Sequence, residues 1–326
     1  MKYFSCFSWI WWFELWIIQA YDNRPDILNR SPILWQNMPD TSQWESRATC
    51  VGFSEIDKYA TQIYQSHFPT HQPYGDITKI NTDELPDFDI LVWGFPCQAF
   101  SIAWKRRGFE DTRGTLFFEL ARILRAKQPR LFVFENVKGL LSHDNGKTFS
   151  TIISTIDELG YDCQWQVLNS KNHWVPQNRE RIFIIWHLRG IPRPKIFPIQ
   201  WADQEDTRNT WEDVSYALDA NYAKWTNTLE KWRRQLINQL NQPKHSNDRI
   251  YGTDWLSPTL NTAQWWNRQP FIPEWASIRR LTPIECERLQ WFPDWWTEWV
   301  SDTQRYKCLW NAVTVNVIRD IFMRIL

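Results

Sequence analysis

The chain has 326 residues, 37 of them basic and 37 acidic, so its formal charge is zero. That length allows one large or two modest domains with a substantial core, and the zero sum argues only weakly against a nucleic-acid partner because it ignores how charge is distributed. The six cysteines (Cys6, Cys50, Cys97, Cys163, Cys286, Cys308) form no C-x-x-C pair, which argues against a zinc site or a disulfide framework and makes a reducing cytoplasm the expectation.

Met1-Lys2 followed by the apolar stretch Phe4 to Trp12 looks like a short signal segment. Glu14 interrupts it, no small-residue cleavage site follows, and it is too short to span a bilayer, so no membrane association is expected. Residues 2–7 read as a strand, 13–20 as a helix and 49–53 as a second strand, with 21–48 an insertion between them. Residues 57–67 read as a helix, 89–92 as a strand, 116–126 as a strongly periodic helix, and 131–134 and 181–185 as short buried strands. This alternation predicts an α/β fold, a doubly wound and mostly parallel sheet with ligands at the carboxyl ends of its strands. From about Gly190 the texture changes: Ile191-Pro192-Arg193-Pro194-Lys195 reads as a linker into a polar, irregular region, with helical and basic character over 230–240. Order returns at 282–289, a helix with Thr282 as N-cap, Pro283 in the first turn and Glu285 three residues on. Residues 311–326 read as a last helix. The expected division is a first domain over 1–188, completed by 303–326, and a smaller one over 189–302.

The chain holds 24 Trp and only 10 Gly, where ordinary usage of about 7% would give roughly 23 glycines. Three origins compete: the tryptophans are tolerated, the protein is a decayed relative of something active, or the gene has been read with the wrong code. Some genetic codes read UGA as glycine and others as tryptophan, so a wrong table would replace one codon's share of the glycines. We favour the third, since random decay would not choose one replacement so consistently; Trp165, Trp211, Trp232 and Trp296 are candidates for true tryptophans.

Three segments carry chemistry. Gly94-Phe95-Pro96-Cys97-Gln98 follows the apolar run Ile90-Leu91-Val92; Glu135-Asn136-Val137 closes Leu131-Phe132-Val133-Phe134; and Gln177-Asn178-Arg179-Glu180-Arg181 precedes Ile182. Thiol, carboxylate and arginine pair, in that order and each near a strand end, resemble the C5-cytosine DNA methyltransferases. The resemblance covers most of the chain except the insertion and the middle of the smaller domain. It implies a Rossmann-like S-adenosylmethionine-dependent fold with a small target-recognition domain, and a DNA (cytosine-5-)-methyltransferase, the modification half of a restriction–modification pair. It also implies a monomer acting on double-stranded DNA beside a cognate restriction endonuclease, with no metal.

Residue by residue, the resemblance makes Cys97 the nucleophile. A buried free cysteine is more often inert, but cationic neighbours favour the thiolate. C5 of cytosine is a poor nucleophile until sulfur adds at C6, and negative charge then develops toward N3, where Glu135 can hydrogen-bond or donate a proton. Arg181 would contact the base carbonyl or orient Glu135, and Arg179 would work at the base or a phosphate. The donor site would take Glu55 on the ribose hydroxyls, Asp76 on the adenine amino group, Phe7, Ile56, Ile77 and Leu116 as adenine walls, and Asn311 at the amino-acid end. Trp9, Trp11 and Trp12 stand where the family has a glycine loop, which permits positive φ and close approach to the donor. Trp93, Trp104, Trp174, Trp265, Trp266, Trp291, Trp295, Trp299 and Trp310 repeat that exchange. The target base must be flipped out of the duplex, with Ser101, Lys105, Arg106 and Arg113 available to phosphates and Thr259 approaching DNA from the small domain. Two rivals are an inactive DNA-binding relative with its donor pocket blocked by indoles, and a thiol hydrolase, which lacks a suitable histidine near Cys97.

Overall fold

The computed structural model describes residues 1–6, 48–94, 116–173, 175–199, 257–258, 271–274 and 277–325. Six strands build the main sheet: β1 (Lys2–Cys6), β2 (Thr49–Ser54), β3 (Ile90–Gly94), β4 (Leu131–Val137), β5 (Tyr161–Asn169) and β7 (Glu180–Leu188). Their order is β2-β1-β3-β4-β7-β5. The first four run parallel, and β7 is antiparallel to both β4 and β5. This is the expected mostly parallel α/β sheet, with β1 flanked by β2 on one side and β3 on the other. Two short pairs lie apart from it, β6 (Gln177–Asn178) with β8 (Ser257–Pro258) and β9 (Phe271–Glu274) with β10 (Ser277–Arg280).

Helices α1 (Lys58–His67), α2 (Leu116–Lys127), α3 (Lys147–Glu158), α4 (Pro283–Arg288), α5 (Asp302–Asn311) and α6 (Val315–Ile325) flank the strands. Side chains alternate across each strand, so β4 sends Leu131 and Val133 into one core and Phe132 and Phe134 into the other. The first core holds Ala60 and Ile63 of α1 with Ile318, Ile321 and Phe322 of α6; the second holds Leu120 and Ile123 of α2 with Ile152 and Ile156 of α3. Covering both faces is what makes the central strands continuous apolar runs. Each of these leucine, isoleucine, valine and phenylalanine side chains contributes about 1.5–3 kcal/mol relative to exposure.

Local signals set the helix starts. Asp57 caps α1 by accepting from Tyr59 N and Ala60 N, and Thr282 and Glu285 form the reciprocal capping box of α4. Four expectations change. The helix expected over 311–326 starts later, at Val315 as α6, because Ala312 is extended (φ −64°, ψ 155°), and a separate helix, α5, precedes it and ends at Asn311. The strand expected over 181–185 runs on to Leu188. Strand β5 was not anticipated, because at the sheet edge it alternates with polar Asp162, Gln164 and Gln166 and is mostly half-buried. Helix α3, built on Ile152 and Ile156, was not anticipated either. The helices expected over 13–20 and 230–240 lie outside the described residues. Among the described residues no helix is long and apolar enough to cross a membrane.

Candidate active site at the carboxyl end of the sheet

Strands β3 and β4 run parallel with Gly94 beside Glu135, so both end at the same edge of the sheet. Glu135 continues the face of Leu131 and Val133. On antiparallel β7, Arg181 is opposite Val137 and Phe183 opposite Glu135, which sets Arg181 diagonally beside Glu135 on one face. Arg181 Nε lies 3.0 Å from Glu135 Oε1, with the side chains 12% and 10% exposed. The contact is an ion pair out of line for a hydrogen bond, so Glu135 Oε1 stays buried without an aligned donor. Burial holds the Glu135 carboxyl above its usual range, while Arg181 and Arg179 pull against that shift. A Cβ at residue 94 would lie 3.3 Å from Glu135 Oε2, so the bare backbone of Gly94 gives the carboxylate its room. Cys97 follows Gly94 by three residues in the chain and lies outside the described residues.

Arg179 sits between β6 and β7 and is 2% exposed. Its Nη2 donates to Trp310 O at 3.1 Å and Ala312 O at 2.6 Å, the carbonyls on either side of Asn311. Its Nε and Nη1 are buried without hydrogen-bond partners. Burial and then Arg181 lower its proton affinity, and Glu135 raises it. Arg179 thus holds the extended link between α5 and α6 through one nitrogen.

A second cluster forms where β2 turns into α1. Glu55 is 5% exposed; its Oε1 accepts from Ile56 N at 2.8 Å and Asp57 N at 2.7 Å. Its Oε2 is buried with no partner. Burial pushes this carboxyl up to about 7, against the two backbone amides. Ile56 beside it is 68% exposed, an apolar surface next to an unpaired acceptor. Lys307 of α5 bridges to Asp57 Oδ2, tying this turn to the helix that ends at Asn311. Burial pushes Asp57 up, and Lys307 with the amides of Tyr59 and Ala60 more than offsets it, leaving the group below its usual range.

The remaining expected donor residues divide. Asp76 caps the short helical turn Ile77–Lys79, accepting from Thr78 N at 3.0 Å and Thr78 Oγ1 at 2.8 Å. Ile77 is 2% exposed and packs inward in the second core, so it offers a ligand its backbone and not its side chain. Leu116 opens α2, half-buried against the same core. Phe7, Trp9, Trp11, Trp12, Ser101, Lys105, Arg106, Arg113 and Thr259 lie outside the described residues. Asp57 as a cap was legible from an acid before an apolar-periodic segment. Lys307, 250 residues away, carries no local signal that would find it.

Comparison with known proteins places this geometry. Residues 41–326 match the family model described as C-5 cytosine-specific DNA methylase. The chain is 40% identical over 279 residues to the type II methyltransferase M1.ScrFI of Lactococcus lactis subsp. cremoris, covering 84% of this chain and 71% of that one. It is 36% identical over 290 residues to M.HhaI of Haemophilus parahaemolyticus, covering 84% and 86%. Among solved structures, the Entamoeba histolytica methyltransferase EhMeth superposes with a TM-score of 0.66 at 17% identity, covering 100% of this chain and 97% of that one. A match over this span, joined to a Rossmann-like sheet with Glu135 and Arg181 paired at its carboxyl edge, settles the kinship: the chain belongs to the C-5 cytosine-specific DNA methylase family.

Proposed function

We propose that the protein is a DNA (cytosine-5-)-methyltransferase of a restriction–modification system, working in the cytoplasm as a monomer on double-stranded DNA. The observation that carries the reading is the buried Glu135 carboxyl paired with Arg181 at the edge where β3 leads toward Cys97. The donor site fits S-adenosylmethionine: Glu55 Oε2 is a buried acceptor without a donor, suited to a ribose hydroxyl, and exposed Ile56 suits an adenine face. When bound, that group supplies an electrophilic methyl.

In this reading the Cys97 thiolate adds to C6 of a flipped cytosine. Glu135, whose carboxyl burial holds above its usual range, hydrogen-bonds N3 and neutralises the charge that arrives there, and C5 gains the electron density to take the methyl. Loss of the C5 proton to a base then expels the Cys97 thiolate and restores the ring. Arg181 orients Glu135 and reaches the base carbonyl. Arg179 is a positioning residue for Asn311 at the donor's amino-acid end. Asp76 takes the adenine amino group with the oxygen its own cap leaves over. Ser101, Lys105, Arg106, Arg113 and Thr259 belong to the DNA side. Residues 1–188 with 303–326 form the catalytic unit and 189–302 the target-recognition unit.

Bisulfite sequencing of the native host's DNA, with and without this gene, tests the function. One short sequence should carry 5-methylcytosine only in the parent. An unchanged cytosine methylation pattern after deletion would refute the assignment.

A further inference from the structure

Two tryptophans occupy backbone positions that glycine ordinarily fills. Trp291 has φ 67° and Trp295 has φ 66°. The first sits where α4 unwinds: Trp291 N donates to Arg288 O at 3.0 Å and Phe292 N to Glu287 O at 2.9 Å. That pair of bonds is the Schellman arrangement, and its left-handed residue, here 291, is usually glycine because any Cβ is penalised there. The second is the third residue of a turn closed by Trp296 N to Pro293 O at 3.4 Å. Of the two central residues only 295 has positive φ, the type II pattern, which asks for glycine at that place.

The other described non-glycine residues with positive φ are Gln128, Asp144 and Asn145. Asp and Asn tolerate the conformation through short side chains that bond locally; an indole cannot bond that way. Trp295 is 55% exposed with the Arg305 guanidinium carbon 5.8 Å from its ring, while Trp291 packs half-buried against the first core. Trp296, next in the chain, behaves as a true tryptophan. It is 6% exposed and stacks on His67 with ring centroids 3.9 Å apart. Composition points the same way, with 24 Trp against 10 Gly.

We propose that residues 291 and 295 are glycine in the working protein, each encoded by UGA, and that 296 is tryptophan encoded by UGG. A shared codon extends the assignment to Trp9, Trp11 and Trp12 in the donor loop and to Trp310, whose ring lies 5.8 Å from the Arg179 guanidinium carbon. The assignment rests on backbone geometry and composition, not on methyl transfer, so the two readings fail separately.

Peptide mass spectrometry of the protein from its native cells tests it, together with the codons of the gene. The peptide covering 289–305, released by cleavage after Arg288 and Arg305, should carry glycine at 291 and 295 and tryptophan at 296. The matching codons should be UGA, UGA and UGG. Tryptophan at 291 and 295 in that peptide overturns the proposal. A second measurement uses the chain expressed with tryptophan throughout. Trp291→Gly and Trp295→Gly should each raise Tm by a few degrees, and Trp296→Gly should lower it. A lower Tm for all three variants also overturns the proposal.

Discussion

Glu55 and Glu135 are both buried acids, and burial has a different consequence for each. Glu55 is held near neutrality, at about 7, yet hydroxyl donors bind best to its ionised form. Bound donor should therefore lower this pKa, and affinity for S-adenosylmethionine should rise as pH increases toward about 7 and level off above it, by at most about tenfold per pH unit. Isothermal titration across that range checks the sign: Glu55→Gln should flatten the profile, and a profile that the substitution leaves unchanged would remove Glu55 from the site. Glu135 is raised by burial against Arg181 and Arg179, which suits a group that must hold a proton toward a ring nitrogen. Glu135→Gln should lower the single-turnover rate by roughly 10²–10⁴-fold with donor affinity little changed. Equal losses in both quantities would place it in the donor site instead. The strand ends of Glu135 and Arg181 were legible in the sequence as the close of one apolar run and the opening of another, while their pairing came only from the resemblance, which offered Arg181 either the base carbonyl or Glu135. The unpaired oxygen of Glu55 was not, because it depends on how the turn after β2 folds back over its own amides.

At the scale of elements, the site is held by contacts that join distant segments. Lys307 on α5 bridges Asp57 at the start of α1, so the turn bearing Glu55 and Ile56 is braced by the helix that ends at Asn311. Lys307→Met should weaken donor binding roughly 5–30-fold, the factor that 1–2 kcal/mol carries. Asp57→Asn should do the same, and the double variant should be little worse than either. Fully additive losses would show that the two residues act apart. The end of β3 is as exacting: a Cβ at Gly94 meets Glu135 Oε2 at 3.3 Å, so Gly94→Ala should slow the chemical step while leaving donor affinity intact. Unaltered turnover would show that the carboxylate can yield. The sequence revealed α1, α2 and α4 through their caps and periodicity. It concealed α5 and the extended link to α6, where Arg179 reaches the carbonyls of Trp310 and Ala312 from β6–β7, a tertiary contact without a local signature.

For the whole molecule, α6 ties the far end of the chain into the core beneath β1 and β3. Ile318, Ile321 and Phe322 are 0% exposed and share that core with Tyr3 and Val92. Ile321→Ala should cost about 2–5 kcal/mol of unfolding free energy, read from the urea midpoint at unchanged slope. A loss below 0.5 kcal/mol, the size of an ordinary surface substitution, would mean the helix is not integral. Fold class was legible because buried parallel strands leave unbroken apolar runs, whereas the antiparallel placement of β7 between β4 and β5 had no mark in the chain. Attack of Cys97 on C6 of cytosine is tested most directly by covalent trapping. Protein from its native cells is incubated with S-adenosylmethionine and DNA in which every cytosine is 5-fluorocytosine, which blocks release of the adduct. Peptide mapping should find the nucleotide and its methyl group attached through Cys97, and Cys97→Ser should give no adduct. Methyl transfer by the serine variant, or an adduct mapped to another residue, would contradict the account.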